Sequence, residues 1–79
     1  MRSIKIEFSS DSSFLGDAAT DEDIDRFAEN IVREVSERFG VSAWSSIVNI
    51  NRAMRCPDDE NIHIWLQELS RSNGWTNYL

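Results

Sequence analysis

Ile4, Ile6 and Phe8 alternate with Lys5 and Glu7 near the start of the chain. Alternation of period two marks a strand with one buried face, so residues 3–8 are predicted as a strand. Residues 9–20 are rich in Ser, Asp and Gly and read as a loop. Phe14 and Leu15 interrupt it and are expected to pin it to the core. The period then changes. Ile24, Phe27, Ala28, Ile31, Val35 and Phe39 fall on one helical face, with Arg26, Glu29, Arg33, Glu34, Glu37 and Arg38 mostly opposite. This predicts a helix over 21–39. Thr20 and Asp23 resemble a capping box with Asp in place of Glu. Glu22–Arg26, Glu29–Arg33 and Glu34–Arg38 have the i,i+4 spacing of helical ion pairs. Gly40 is the stop signal.

Residues 42–55, SAWSSIVNINRAMR, fit two templates. Ala43, Ile47, Ile50 and Met54 share a helical face, yet SIVNIN has the composition of a short strand, since Ser and Asn are poor helix formers. Helix is preferred, with Ser42 as its cap. Pro57 ends it and suits the first turn of a further helix, where Asp58, Asp59 and Glu60 meet the positive end. Ile62, Trp65, Leu66 and Leu69 are that helix's buried stripe, and Asn73-Gly74 closes it. The final WTNYL has strand composition. A lone strand needs a ladder partner, so residues 3–8 are expected to pair with 75–79, with 46–51, or with another copy of the chain. The expectation is a small single α+β domain over 1–79: an N-terminal strand, two or three amphipathic helices and a short second strand.

Seventy-nine residues have room for one core and little for a deep catalytic cleft. A hydrophobic content of 41% with three Trp argues for a folded globule. The net charge of −6 opposes direct nucleic-acid binding, whose affinity comes from cations on phosphates, and favours a basic partner. Seven of the eight bases are Arg, which prefers fixed, bidentate partners. A single cysteine, Cys56, cannot form an intrachain disulfide and points to a reducing compartment. No apolar run has signal-peptide or membrane-spanning length, so a soluble cytoplasmic protein without membrane contact is expected.

Several candidate sites are incomplete. Asp21, Asp23 and Asp25 have the first spacings of a calcium loop, but Arg26 stands at its Gly position and Val32 at its final Glu position. Cys56 and His63 are half of a zinc set and lack the third group a Cys–His nucleophile needs. Cys56 reads as a buried filler and His63 as an exposed helix residue. No catalytic residue, metal site or cofactor is expected, and the chain is read as a non-enzyme. Phe39-Gly40-Val41-Ser42 looks like the turn of a helix-turn-helix. That supports an alternative, a small DNA-binding regulator using residues 38–55 with Arg38, Arg52 and Arg55. A homodimeric structural subunit is a further alternative. The three Trp cannot all be fully buried in so small a domain, and an exposed one would be an interface anchor.

The carboxylates remain. From Ser9 to Asp25 there are six acids, Asp11, Asp17, Asp21, Glu22, Asp23 and Asp25, and no Lys or Arg; Glu29 and the run Asp58, Asp59, Glu60 add to them. Helix starts favour acids, which explains part of this. Duplex DNA carries a charge about every 1.7 Å of axis and a helix advances about 1.5 Å per residue, so the same acids can imitate a phosphate track. In size, charge and α+β style the chain resembles phage-encoded anti-CRISPR inhibitors. The resemblance implies a cytoplasmic inhibitor in a bacterial host. It would bind a CRISPR effector, or another basic nucleic-acid-binding protein, through these acids and exclude the nucleic acid from its positively charged channel.

Overall fold

The computed structural model describes residues 2–79. A three-stranded sheet carries two α-helices in an α+β arrangement. Strand β1 (Ser3–Ser9) leads through a 3-10 turn, Ser12–Leu15, into helix α1 (Asp21–Phe39). Strand β2 (Ser42–Val48) follows, then the two-residue β3 (Met54–Arg55) and helix α2 (Glu60–Ser72). A second 3-10 segment, Gly74–Tyr78, ends the chain. The sheet order is β2-β1-β3: β1 is central, parallel to β2 and antiparallel to β3.

The period-two expectation for β1 holds on the core side. Ile4, Ile6 and Phe8 are buried, together with Phe27, Ala28, Ile31 and Val35 of α1 and Ile62 and Leu66 of α2. Phe14 and Leu15 do pack on this core. The ring of Phe14 stands edge-on to Phe27 with centroids 5.8 Å apart. Helix α1 starts and stops where its periodicity places it, with a Thr20/Asp23 capping box and Gly40 in the left-handed region at φ 64°. Gly adopts that conformation without a Cβ penalty.

Residues 42–55 differ from the helical reading. Residues 42–48 are a strand, and 49–53 are irregular. The left-handed turn at Gly40 returns the chain alongside β1, whose edge N–H and C=O groups require a ladder. Ser42 donates to Arg2 O at 2.8 Å and Ser10 to Val48 O at 2.9 Å, bracketing seven paired residues. Pairing along β1 outweighs a helical stripe interrupted by Ser and Asn. A helix-turn-helix over 38–55 is therefore excluded, because the element after the turn is a strand. Residues 75–79 are also not a strand. β1 is already paired on both sides, and Trp75 and Tyr78 instead pack their rings edge-on against Phe27 and Trp65. Asn30 of α1 holds this tail through Nδ2 to Tyr78 O, 2.8 Å. Pro57 lies before the α2 cap, Asp59, rather than in the first turn.

Candidate functional site

The predicted acids separate into two places and two kinds. Asp58, Asp59 and Glu60 stand where β1 begins: Asp59 pairs with Arg2, and Asp58 Oδ2 lies 3.4 Å from the Lys5 N–H. The α1 start lies at the other end of β1 and β2, where Asp21 and Asp25 line a shallow hollow with Ser10, Ile24 and Ile47. The ten acids therefore lie in two separate places, with Asp58, Asp59 and Glu60 away from the acids of the α1 start.

Several of these acids have local structural work. The Asp11 carboxylate accepts the Ser13 N–H at 3.0 Å and caps the 3-10 turn; that bond holds its pKa below the usual value. Asp11, although it lies in the loop before α1, thus has a turn of its own to cap. Asp23 accepts from the Thr20 N–H at 2.8 Å and from its hydroxyl at 3.2 Å, with Arg26 at 3.5 Å; the Thr20 N–H lowers its pKa most. Asp59 accepts the Ile62 N–H at 3.0 Å as the α2 N-cap, and this bond, followed by Arg2, lowers its pKa. Asp17, Asp21, Glu22, Asp25, Glu29 and Glu60 are exposed, and among the described residues none of them forms a salt bridge or a capping hydrogen bond.

The helical ion pairs are only partly as expected. Glu34–Arg38 forms at 2.9 Å. Arg26 turns to Asp23 instead of Glu22, and Arg33 donates to Asn30 Oδ1 at 3.2 Å instead of reaching Glu29. Shorter i,i+3 partners win because they fix fewer side-chain rotors on an exposed surface.

Beside the α1 start, Asp17, Asp23 and Arg26 border a second shallow hollow with Leu15, Gly16, Ala18, Ala19 and the exposed Leu79. Of the three tryptophans, Trp44 on β2 is the exposed one, at 47%, and Ile47 on the same strand is 41% exposed. Trp65 and Trp75 pack against the core. Composition could not select Trp44; its exposure follows from the strand register, which pairs it with Lys5 on the face away from the buried Ile4 and Ile6.

Cys56 is buried, its Sγ donating to Lys5 O at 3.6 Å, and burial raises its thiol pKa. The filler reading holds. His63 is half-buried rather than exposed: its Nδ1 accepts the Cys56 N–H at 3.2 Å, closing the turn before α2. Among the described residues no three His, Cys, Asp or Glu side chains converge as metal ligands, and Asp21 and Asp25 lie on helix rather than in a calcium loop. Among the described residues no helix is long and apolar enough to cross a membrane. The chain matches no protein-family model, no curated protein and no solved structure.

Proposed function

We propose that the chain is a non-enzymatic, protein-binding inhibitor of the anti-CRISPR kind. Its acidic α1 start competes with nucleic acid for the basic channel of an effector complex in the cytoplasm of a bacterial host. The observation that carries this reading is the set Asp17, Asp21, Glu22 and Asp25. These four acids are exposed and, among the described residues, unpaired around a helix start whose nearby cation, Arg26, is taken up by Asp23. The Thr20/Asp23 capping box accounts for Asp23 and the positive helix end favours Asp21 and Glu22, but neither feature gives these four acids a bonded partner among the described residues. Their charges add in one field, whose reach at 0.1 M salt is about 10 Å. Exposed Leu79 borders the same hollow as Asp17 and adds apolar surface there.

The test is displacement of labelled target DNA from purified CRISPR effector complexes, run across several effector types at low and high salt. The expected result is displacement at low salt by the native chain, loss of it at high salt, and loss of it in Asp17→Asn/Asp21→Asn/Glu22→Gln/Asp25→Asn. Displacement by that variant at undiminished affinity, or by no effector type at any salt, rejects the reading. Direct DNA binding by the chain itself would reject it as well.

A further inference from the structure

β2 is a sheet edge that α1 covers only at its Ala43 end. Its seven residues, SAWSSIV, carry no charge and no proline, although 28% of the chain is charged. Natural edge strands are usually blunted by Lys, Pro, a bulge or a covering element, because free N–H and C=O groups recruit another strand. Ser42 and Val48 bond to β1. In a parallel ladder alternate residues bond to alternate sides, so Ala43, Ser45 and Ile47 turn their backbone groups outward. Consistent with this parity, the Ala43 N–H is accepted by Ser36 Oγ of α1 at 3.1 Å, not by β1. Among the described residues nothing covers the Ser45 and Ile47 amides in this way.

The flank of α1 beside this edge is charged in an ordered way. Glu29, Val32 and Arg33 border a shallow hollow with Ala43, Trp44 and Ser45, and Asp25 lies further along toward Ile47. Glu29 and Arg33 have the spacing to pair with each other and do not: Arg33 bonds Asn30. The acidic and basic ends of one stripe are thus both available to a partner carrying the same stripe reversed.

We propose that β2 pairs antiparallel with β2 of a second copy about a two-fold axis at Ser45, with the acidic half of each α1 flank against Arg33 of the other. The occupant is a second copy because a two-fold axis reverses α1 and so brings Asp25 and Glu29 toward the opposite Arg33. An uncharged edge is also where two chains of net charge −6 can meet without direct repulsion. In this register Ser45 exchanges both backbone bonds with Ser45 of the copy, and each Ile47 amide reaches the opposite Ala43 carbonyl. Ile47 covers Ala43 across the seam, and Trp44 lies opposite Ser46 and diagonal to Val48. The sheet becomes continuous across both copies. This inference does not rest on the inhibitor reading.

Sedimentation equilibrium of the full chain from about 1 µM to about 1 mM, a span covering weak to moderate affinity, tests it. The expected result is a mass that rises to two chains and stops there. Ser45→Pro removes the outward N–H where Pro is tolerated; it should raise the dimer Kd at least tenfold with unchanged far-UV circular dichroism. Glu29→Arg should weaken the dimer, and Glu29→Arg/Arg33→Glu should recover it. Amide exchange at Ser45 and Ile47 in the native chain should slow with concentration, a readout independent of any variant's folding. A monomer throughout the range, exchange indifferent to concentration, growth beyond two chains, or a dimer insensitive to both the Ser45 and the charge-exchange variants overturns the proposal.

Discussion

Arg55 Nε donates to Glu7 Oε1 at 2.9 Å, and the two residues are direct cross-strand partners between β3 and β1. Glu7 lies on the central strand with its side chain 11% exposed, while Arg55 remains 42% exposed. A two-residue strand has little ladder of its own, so this pair secures β3. Arg55→Ala leaves Glu7 desolvated without its cation and should cost about 1–2 kcal/mol, below the full penalty of a buried pair because Arg55 is partly in water. Urea unfolding of Arg55→Ala, Glu7→Gln and the double variant measures the coupling. Additive losses would show that the pair contributes nothing.

Phe27 is the hub of the aromatic core, edge-on to Phe8, Phe14 and Trp75 at 6.1, 5.8 and 6.4 Å. Phe27→Leu retains hydrophobicity but loses three ring contacts, and should cost about 1–2 kcal/mol. In a domain of this size that lowers Tm by about 4–8 °C per kcal/mol. Phe27→Ala, at about 3–5 kcal/mol, should consume most of the stability of so small a domain. Thermal melts followed at 222 nm check both.

The structural acids and the free acids should part company in stability. Asp59→Ala removes the α2 N-cap and the Arg2 partner, and about 1–2 kcal/mol should be lost. Asp21→Asn and Glu22→Gln should each change stability by no more than about 0.5 kcal/mol, as exposed residues with no bonded partner do. Large losses for Asp21 or Glu22 would mean that their charge serves the fold, and would remove the reason to assign them to a partner.

Asp11, Asp23 and Asp59 are each held below the ordinary value of 3.8, chiefly by the N–H groups of Ser13, Thr20 and Ile62 respectively. A folded-state pKa below the unfolded one adds stability above the unfolded value, and that stability is lost as pH falls through the folded values. Urea midpoints should therefore be level near neutrality and fall below pH 4. The decline should be shallower in Asp11→Asn/Asp59→Asn. An acid limb of unchanged steepness in that variant would show that other groups govern it.

Burial raises the Cys56 thiol pKa above the ordinary 9.0. Here the sign is reversed: the neutral thiol is favoured in the fold, so this stability is full below pH 9 and is lost as pH rises toward the folded value. At neutral pH the thiol should react with a disulfide reagent only on unfolding, far more slowly than in urea. Labelling at equal rates in both conditions would contradict its burial.

Much of the architecture was legible because periodicity is a local signal tied to burial. The alternation of Ile4, Ile6 and Phe8 located β1, the stripe from Ile24 to Phe39 located α1, and Ile62 with Leu66 located the buried side of α2. Capping chemistry was local too, as Thr20, Gly40 and Asn73 show. Residues 42–48 were not legible, because their pattern fits two periods and the decision lay in the unpaired backbone of β1, far away in sequence. The same non-local choice denied Trp75–Leu79 a strand, exposed Trp44, and sent the acids of α1 and α2 to opposite ends of the sheet. Charge and spacing by themselves established a capped acidic helix start. Only the tertiary structure brought Arg2 to Asp59 and the Lys5 N–H to Asp58, because those partners are more than fifty residues apart and meet only where β1 begins beside α2.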